Sequence, residues 1–344
     1  MAKCDVEVRL DPTNSFRAGE VIRGSVRLHA TEIVRSKGVT LEIGWRVHGK
    51  GNSGRQVVHS LPLLSGQFLG EEILPFEARV PNGPVSHRGQ LLEITWFARA
   101  QVDIDWALDP KSEVTFVLSP AIGSSEPYIH GNAELDIGPD SARTPGSGLG
   151  VVAWLLIAFD LVGVFFLLLG ILKREAGLIL FGSFFLVIGT VALFKGLRLF
   201  RRIAAAKLGQ VKVHAQPVRP RAGETVRLTV EVVAKPGARV DAAHVTLRGR
   251  ERVVRGSGKN RRITHHELHQ GTQDMAGDFG PLIAGVVSRW TVDVLIPPDA
   301  SPTFRESDNQ VTWTMDVRLD LPGGLDWTDT VTLAVVPGDP MTTG

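Results

Sequence analysis

Residues 80–106 read VPNGPVSHRGQLLEITWFARAQVDIDW, and the second half of that stretch decides the fold. Leu92, Ile94, Trp96, Ala98, Ala100, Val102 and Ile104 alternate with Glu93, Thr95, Arg99, Gln101 and Asp103. Successive side chains of a strand point to opposite faces, so this alternation predicts one buried and one solvated face. The same period recurs upstream. Ile22, Val26 and Leu28 alternate with Arg23, Ser25 and Arg27; Val39, Leu41, Ile43, Trp45 and Val47 alternate with Thr40, Glu42, Arg46 and His48. No helical period interrupts them, so residues 1–120 are expected to form an antiparallel β-sandwich.

Downstream the design repeats. RAGETVRLTVEV at 221–232 sits beside RAGEVIRGSVRL at 17–28, and IPPDASPTFRESDNQVTWTMDVRLDLPGGLDW at 296–327 sits beside the opening stretch. Val226, Leu228, Val230 and Val232 share one face, as do Val311, Trp313, Met315, Val317, Leu319 and Leu321. An internal duplication follows, with a second sandwich expected over 209–338 and a tail over 339–344.

Between the copies the composition changes. Residues 121–148 are rich in Gly, Ser and Pro without a sustained period, which predicts a flexible linker. Residues 149–172 carry one charge, Asp160, and 177–194 carry none. A membrane-spanning helix needs about 20 apolar residues, so 149–196 is expected to be a two-helix transmembrane hairpin. Lys195, Arg198, Arg201, Arg202 and Lys207 follow it, Arg143 precedes it, and the tip holds only Lys173 and Arg174. That asymmetry, with no signal-peptide run over 1–10, places both sandwiches in the cytoplasm on an inner membrane. Residues 197–208 would form a basic helix resting on anionic headgroups. Asp160 and Thr190 would be intramembrane polar groups facing the hairpin partner or an oligomer interface.

The Ala-Gly-Glu turn, Gly24-Ser-Val-Arg-Leu28, and the Pro81, Pro84, Ser86, Gly89 turn before the long strand resemble the arrestin-like superfamily. In the second copy Pro297, Pro298 and Pro302 echo that turn, without its glycine. The resemblance implies two immunoglobulin-like sandwiches acting as a protein- or lipid-binding adaptor without catalysis. It carries over no sensor residue.

Composition excludes little else. The net charge of +2 points to no nucleic-acid partner, and the single cysteine, Cys4, rules out an intramolecular disulfide framework. Gly49–Gly54 matches G-x-G-x-x-G, but strands flank it where a dinucleotide site needs a helix, so a hairpin loop is expected. Gly256-Ser-Gly-Lys259 lacks the first Gly and the Ser/Thr of a phosphate loop. His265, Glu267 and His269 would share one face of a regular strand and could meet a Zn²⁺ or Ni²⁺ ion; solvated strand histidines are the plainer alternative. Arg248, Arg250, Arg252, Arg255, Lys259, Arg261 and Arg262 form a basic hairpin, either a solvated edge or a surface for anionic lipid headgroups or an acidic partner.

The expectation is therefore an all-β chain plus a transmembrane α-hairpin, serving as a membrane-anchored scaffold or adaptor. Lipids, an unidentified protein partner and self-association are admitted, and cofactors are not expected. The alternative is an oligomeric pore or transport component with Asp160 inside the helix bundle.

Overall fold

The computed structural model describes residues 4–104, 109–121, 123, 127–129, 139–140, 151–187, 208–322 and 326–338, with the side chains of the helical segment described from Leu161 onward. The first half contains β1 (Cys4–Asp11), β2 (Ser15–Arg17), β3 (Val21–Gly49), β4 (Gly54–Arg79), β5 (His87–Arg88), β6 (Leu92–Ile104) and β7 (Lys111–Ser119). Two short strands follow, β8 (Tyr128–Ile129) and β9 (Pro139–Asp140), then helix α1 (Val151–Lys173) and helix α2 (176–187). The second half contains β10 (Gly209–Gln216), β11 (Thr225–Ala234), β12 (Arg239–Val240), β13 (Ala242–Arg255), β14 (Arg262–Asp274), β15 (Gly280–Pro281), β16 (Val287–Leu295), β17 (Phe304–Arg305), β18 (Asn309–Asp320) and β19 (Trp327–Leu333).

The predicted alternation holds. Along β6 the apolar set from Leu92 to Ile104 is buried, and along β18 the odd positions from Asn309 to Leu319 are buried while the even ones are half-exposed. The fold is β-rich and antiparallel in its main ladders: β1–β3–β6–β7 with β4 on β3 in the first half, β10–β11–β16 and β14–β13–β18–β19 in the second.

The duplication extends to single hydrogen bonds. In both copies the Arg-Ala-Gly-Glu turn closes on itself: the Arg17 N–H donates to the Glu20 carboxylate and the Arg221 N–H to Glu224, both at 2.7 Å. Gly19 and Gly223 sit at φ 82° and 83°, a left-handed region open to glycine at no steric cost. Their N–H groups donate to the carbonyls of Val80 and Ile296. Trp96 Nε1 donates to the Pro84 carbonyl at 2.7 Å, and Trp313 Nε1 to the Ser301 carbonyl at 2.8 Å.

One difference separates the copies. β3 and β4 each run through both layers of the first sandwich, bending where the ladder slips between Ala30 and Val34. In the second, Pro236 lacks an N–H and Gly237 takes φ 80°, so β11 stops at Ala234 and the chain re-enters as β13.

Each sandwich has its own core, and the two meet where three residues of the second join the core of the first. Val253, Phe304 and Val311 of the second half belong to the same buried cluster as Trp45, Ile94 and Trp96 of the first. Tyr128 lies between them, its ring stacked on Phe304 at 5.8 Å and edge-on to Trp45 at 5.6 Å. Its hydroxyl donates to Gln56, and β8 runs parallel to β17. Burial pushes the Tyr128 hydroxyl up to about 12. The stretch 121–148, expected to be featureless linker, therefore supplies an aromatic wedge where it is described.

The expected membrane hairpin is corrected. Among the described residues, no helix is long and apolar enough to cross a membrane. Placement in an inner membrane falls with it. What remains is a helical hairpin. Arg174 turns the chain at φ 54°, Phe166 meets Phe181 edge-on at 5.3 Å, and Gly182 packs so tightly that a Cβ there would lie 2.4 Å from the Leu167 nitrogen.

Candidate functional site

The cationic end of the second sandwich is built by β13 and β14, paired antiparallel from His244–Asp274 to Arg255–Arg262. Period two divides the basic run. Arg248, Arg250 and Arg252 lie on the half-exposed phase of β13, and the phase between them is buried. Arg248 meets Asp316 at 3.0 Å, and Arg250 meets Glu267 at 2.7 Å. Two of the seven expected cations are thus neutralised by carboxylates on neighbouring strands. No ion pair is formed by Arg252, Arg255, Lys259, Arg261 or Arg262 among the described residues. Arg255 faces Arg262 directly across the ladder, an unfavourable pairing of like charges. His265, opposite Arg252, has its pKa held below the ordinary histidine value by partial burial and by the charges of Arg252 and Arg250.

The three residues weighed as metal ligands are not brought together. The ladder slips between Gly249 and Arg250: Gly249 faces His269, Arg250 faces Glu267, and Leu268 is the extra residue of a bulge. His269 shares the inner face with Gly249 and lies 6.2 Å from the Trp313 ring, while Glu267 turns outward to Arg250. Among the described residues no group of three His, Cys, Asp or Glu is placed to hold a metal ion.

Gly49–Gly54 is the loop joining β3 to β4, as its strand-flanked position required. It grips the other sandwich. Asn52 Oδ1 accepts from the Gly256 N–H at 2.9 Å, its Nδ2 donates to Asp308 at 2.8 Å, and its carbonyl accepts from Asn309. Gly256–Lys259 lies in a tight turn that includes a 3-10 segment, Gly258–Asn260. The side chains of Asp160, Thr190, Lys195, Arg198, Arg201, Arg202 and Lys207 lie outside the described residues.

Glu251 was not singled out from the sequence. It stands inside the basic run, yet it is 0% exposed and reaches into the first sandwich. Its carboxylate accepts from the N–H of Leu91 at 2.8 Å and of Gln90 at 3.0 Å, and lies 2.8 Å from His87 Nε2. Burial alone would raise its pKa, but His87 and the two N–H groups outweigh that and hold it below the ordinary carboxylate value. A Cβ on Gly89 would lie 1.4 Å from this carboxylate, so only glycine fits there. A signal existed: Glu251 is a carboxylate on the apolar phase of its strand, in step with Leu247 and Val253. Beside this joint, a cleft of about 560 Å³ is lined by His87, Arg88, Ser119, Asp299 and Ser301.

The sequence matches no family model and no curated protein. Among solved structures, the chain is similar to Spo0M, a sporulation control protein from Bacillus subtilis, at 17% identity and a TM-score of 0.31. The match covers 35% of this chain and 51% of that one, so it spans about half the length of that structure.

Proposed function

We propose that this chain is a non-enzymatic adaptor of arrestin-like design, presenting the surfaces of two fused sandwiches to a protein partner. The observation that carries this reading is the packed joint around Trp45, Tyr128 and Phe304 that ties the second sandwich to the core of the first. It holds two sets of exposed edges and loops in one fixed relation, which suits a body that aligns partners. The unneutralised cations at the end of β13 and β14 supply a recognition surface on that body.

Quantitative affinity capture tests the proposal, with the intact tagged chain and an Arg252→Glu, Asn52→Ala variant side by side. A small set of proteins enriched by the intact chain and depleted by the variant supports it. No enrichment above an untagged control, or purified chain that turns over a metabolite pool, overturns it.

Self-association belongs to the same reading. Leu161, Phe165, Leu168, Leu172, Leu180 and Phe184 are exposed on the helical hairpin, and contiguous apolar surface of this kind is usually covered by another protein surface. Sedimentation velocity should show a concentration-dependent oligomer, which Leu168→Glu with Phe184→Glu returns to monomer.

A further inference from the structure

We infer that the outer edge of β14, from Arg262 to Glu267, binds an extended acidic peptide segment as an added strand. The inference rests on the adaptor reading and names the chemistry of the partner.

Three observations meet at this edge. First, β14 pairs only with β13 among the described residues, so its second row of backbone N–H and C=O groups is open. Open edges of this kind accept a further strand, whose main chain supplies the affinity. Second, the bulge at Leu268 interrupts the strand halfway. Bulges twist an edge away from partners, so the regular stretch is the half nearest the turn. A second copy of this chain pairing along the whole of β14 would have to cross that bulge. Third, Arg252, Arg255, Lys259, Arg261 and Arg262 cluster around this regular half, none of them in an ion pair among the described residues; its one carboxylate, Glu267 at the bulge end, is taken by Arg250, and the half beyond the bulge is supplied with Asp274 and Asp316. Charge therefore selects an acidic occupant and places it at the turn end. The turn is itself held in position, because Asn52 binds both the N–H and the carbonyl of Gly256.

The occupant would lie antiparallel or parallel to β14 with carboxylates on the face shared by Arg252 and His265. A peptide fits better than a nucleic acid, because the edge offers main-chain pairing and no Phe, Tyr or Trp on which bases stack most strongly.

The test uses the full chain and a fluorescein-labelled peptide of about eight residues alternating Glu and Thr. Saturable binding that weakens with salt is expected. Arg252→Glu with Arg262→Glu should weaken it about tenfold or more, with circular dichroism and melting temperature unchanged because both sites are at the surface. Peptides N-methylated at alternate residues separate pairing from charge: one phase should bind like the parent and the other should lose binding. Equal binding by both phases means charge alone holds the peptide and overturns the inference. A polythymidine oligonucleotide binding more tightly than the peptide overturns the choice of partner. No peptide binding up to about 1 mM overturns the site. The adaptor reading is distinguished by capture: a partner retained by the Arg252→Glu, Arg262→Glu variant leaves it standing while this edge is excluded.

Discussion

The two hairpin turns, one in each copy of the duplication, occupy matching positions and are held differently. The turn between β3 and β4 is packed against the other sandwich, with Asn52 bonded to Gly256, Asp308 and Asn309. The turn between β13 and β14 is exposed and cationic from Arg255 to Arg262. Duplication preserves what closes each sandwich upon itself, the Arg-Ala-Gly-Glu turn and the Trp-to-carbonyl bond. The ends of the hairpins are free to diverge: the first reaches through Asn52 to Gly256 of the second, whose cations from Arg255 to Arg262 stay exposed.

If the joint couples the two cores, damage to either should be felt by both. Trp96→Ala and Trp313→Ala should each cost about 3–5 kcal/mol and shift a single calorimetric transition. Two transitions, with only the mutated half displaced, would break the comparison at its base.

The joint should also be sensitive to acid. Glu251→Gln removes the charge from a buried carboxylate with three partners and should cost about 2 kcal/mol at neutral pH. Because the folded pKa is lowered, the unfolded chain binds more protons in the acid range. The stabilisation is present above the ordinary carboxylate pKa of 4.5 and is lost as pH falls through the lower folded value. Urea denaturation between pH 6 and about 3 should show a flatter acid decline in Glu251→Gln than in the parent.

A smaller effect sets the two turns against each other directly. Asn52→Ala should cost about 1–2 kcal/mol by leaving the Gly256 N–H and the Asp308 carboxylate without their partner. Ser257→Ala, at the exposed turn, should stay within about 0.5 kcal/mol. Equal losses would mean that both turns are structural.

The smallest effect concerns His265. Its pKa is lowered in the folded chain, so stability should decline slightly as pH falls through the ordinary histidine value of 6.5. His265→Gln should remove that component, visible as a converging pair of melting temperatures above pH 7 and a divergence below pH 6. An identical pH profile in both proteins would show that Arg252 and Arg250 do not act on His265 as their positions imply.

The cationic site was legible as a run of residues, because seven basic side chains within 248–262 need no structure to be seen. Its usable part was not, since Glu267 and Asp316 reach Arg250 and Arg248 from other strands and leave the turn end unbalanced. The His265, Glu267, His269 set failed for a related reason. Alternation assumes an unbroken ladder, and the bulge at Leu268 arises where Gly249 and Trp313 pack together, which the local sequence does not mark.

By itself the sequence determined the strands, which faces they bury and the duplication, because a period of two assigns each side chain to a face without reference to any distant residue. Only the tertiary structure decided that the two copies meet through Tyr128 and Glu251, and that Asn52 of one hairpin turn bonds to Gly256 of the other. Those outcomes depend on groups more than a hundred residues apart meeting in space, and no local pattern encodes such a meeting.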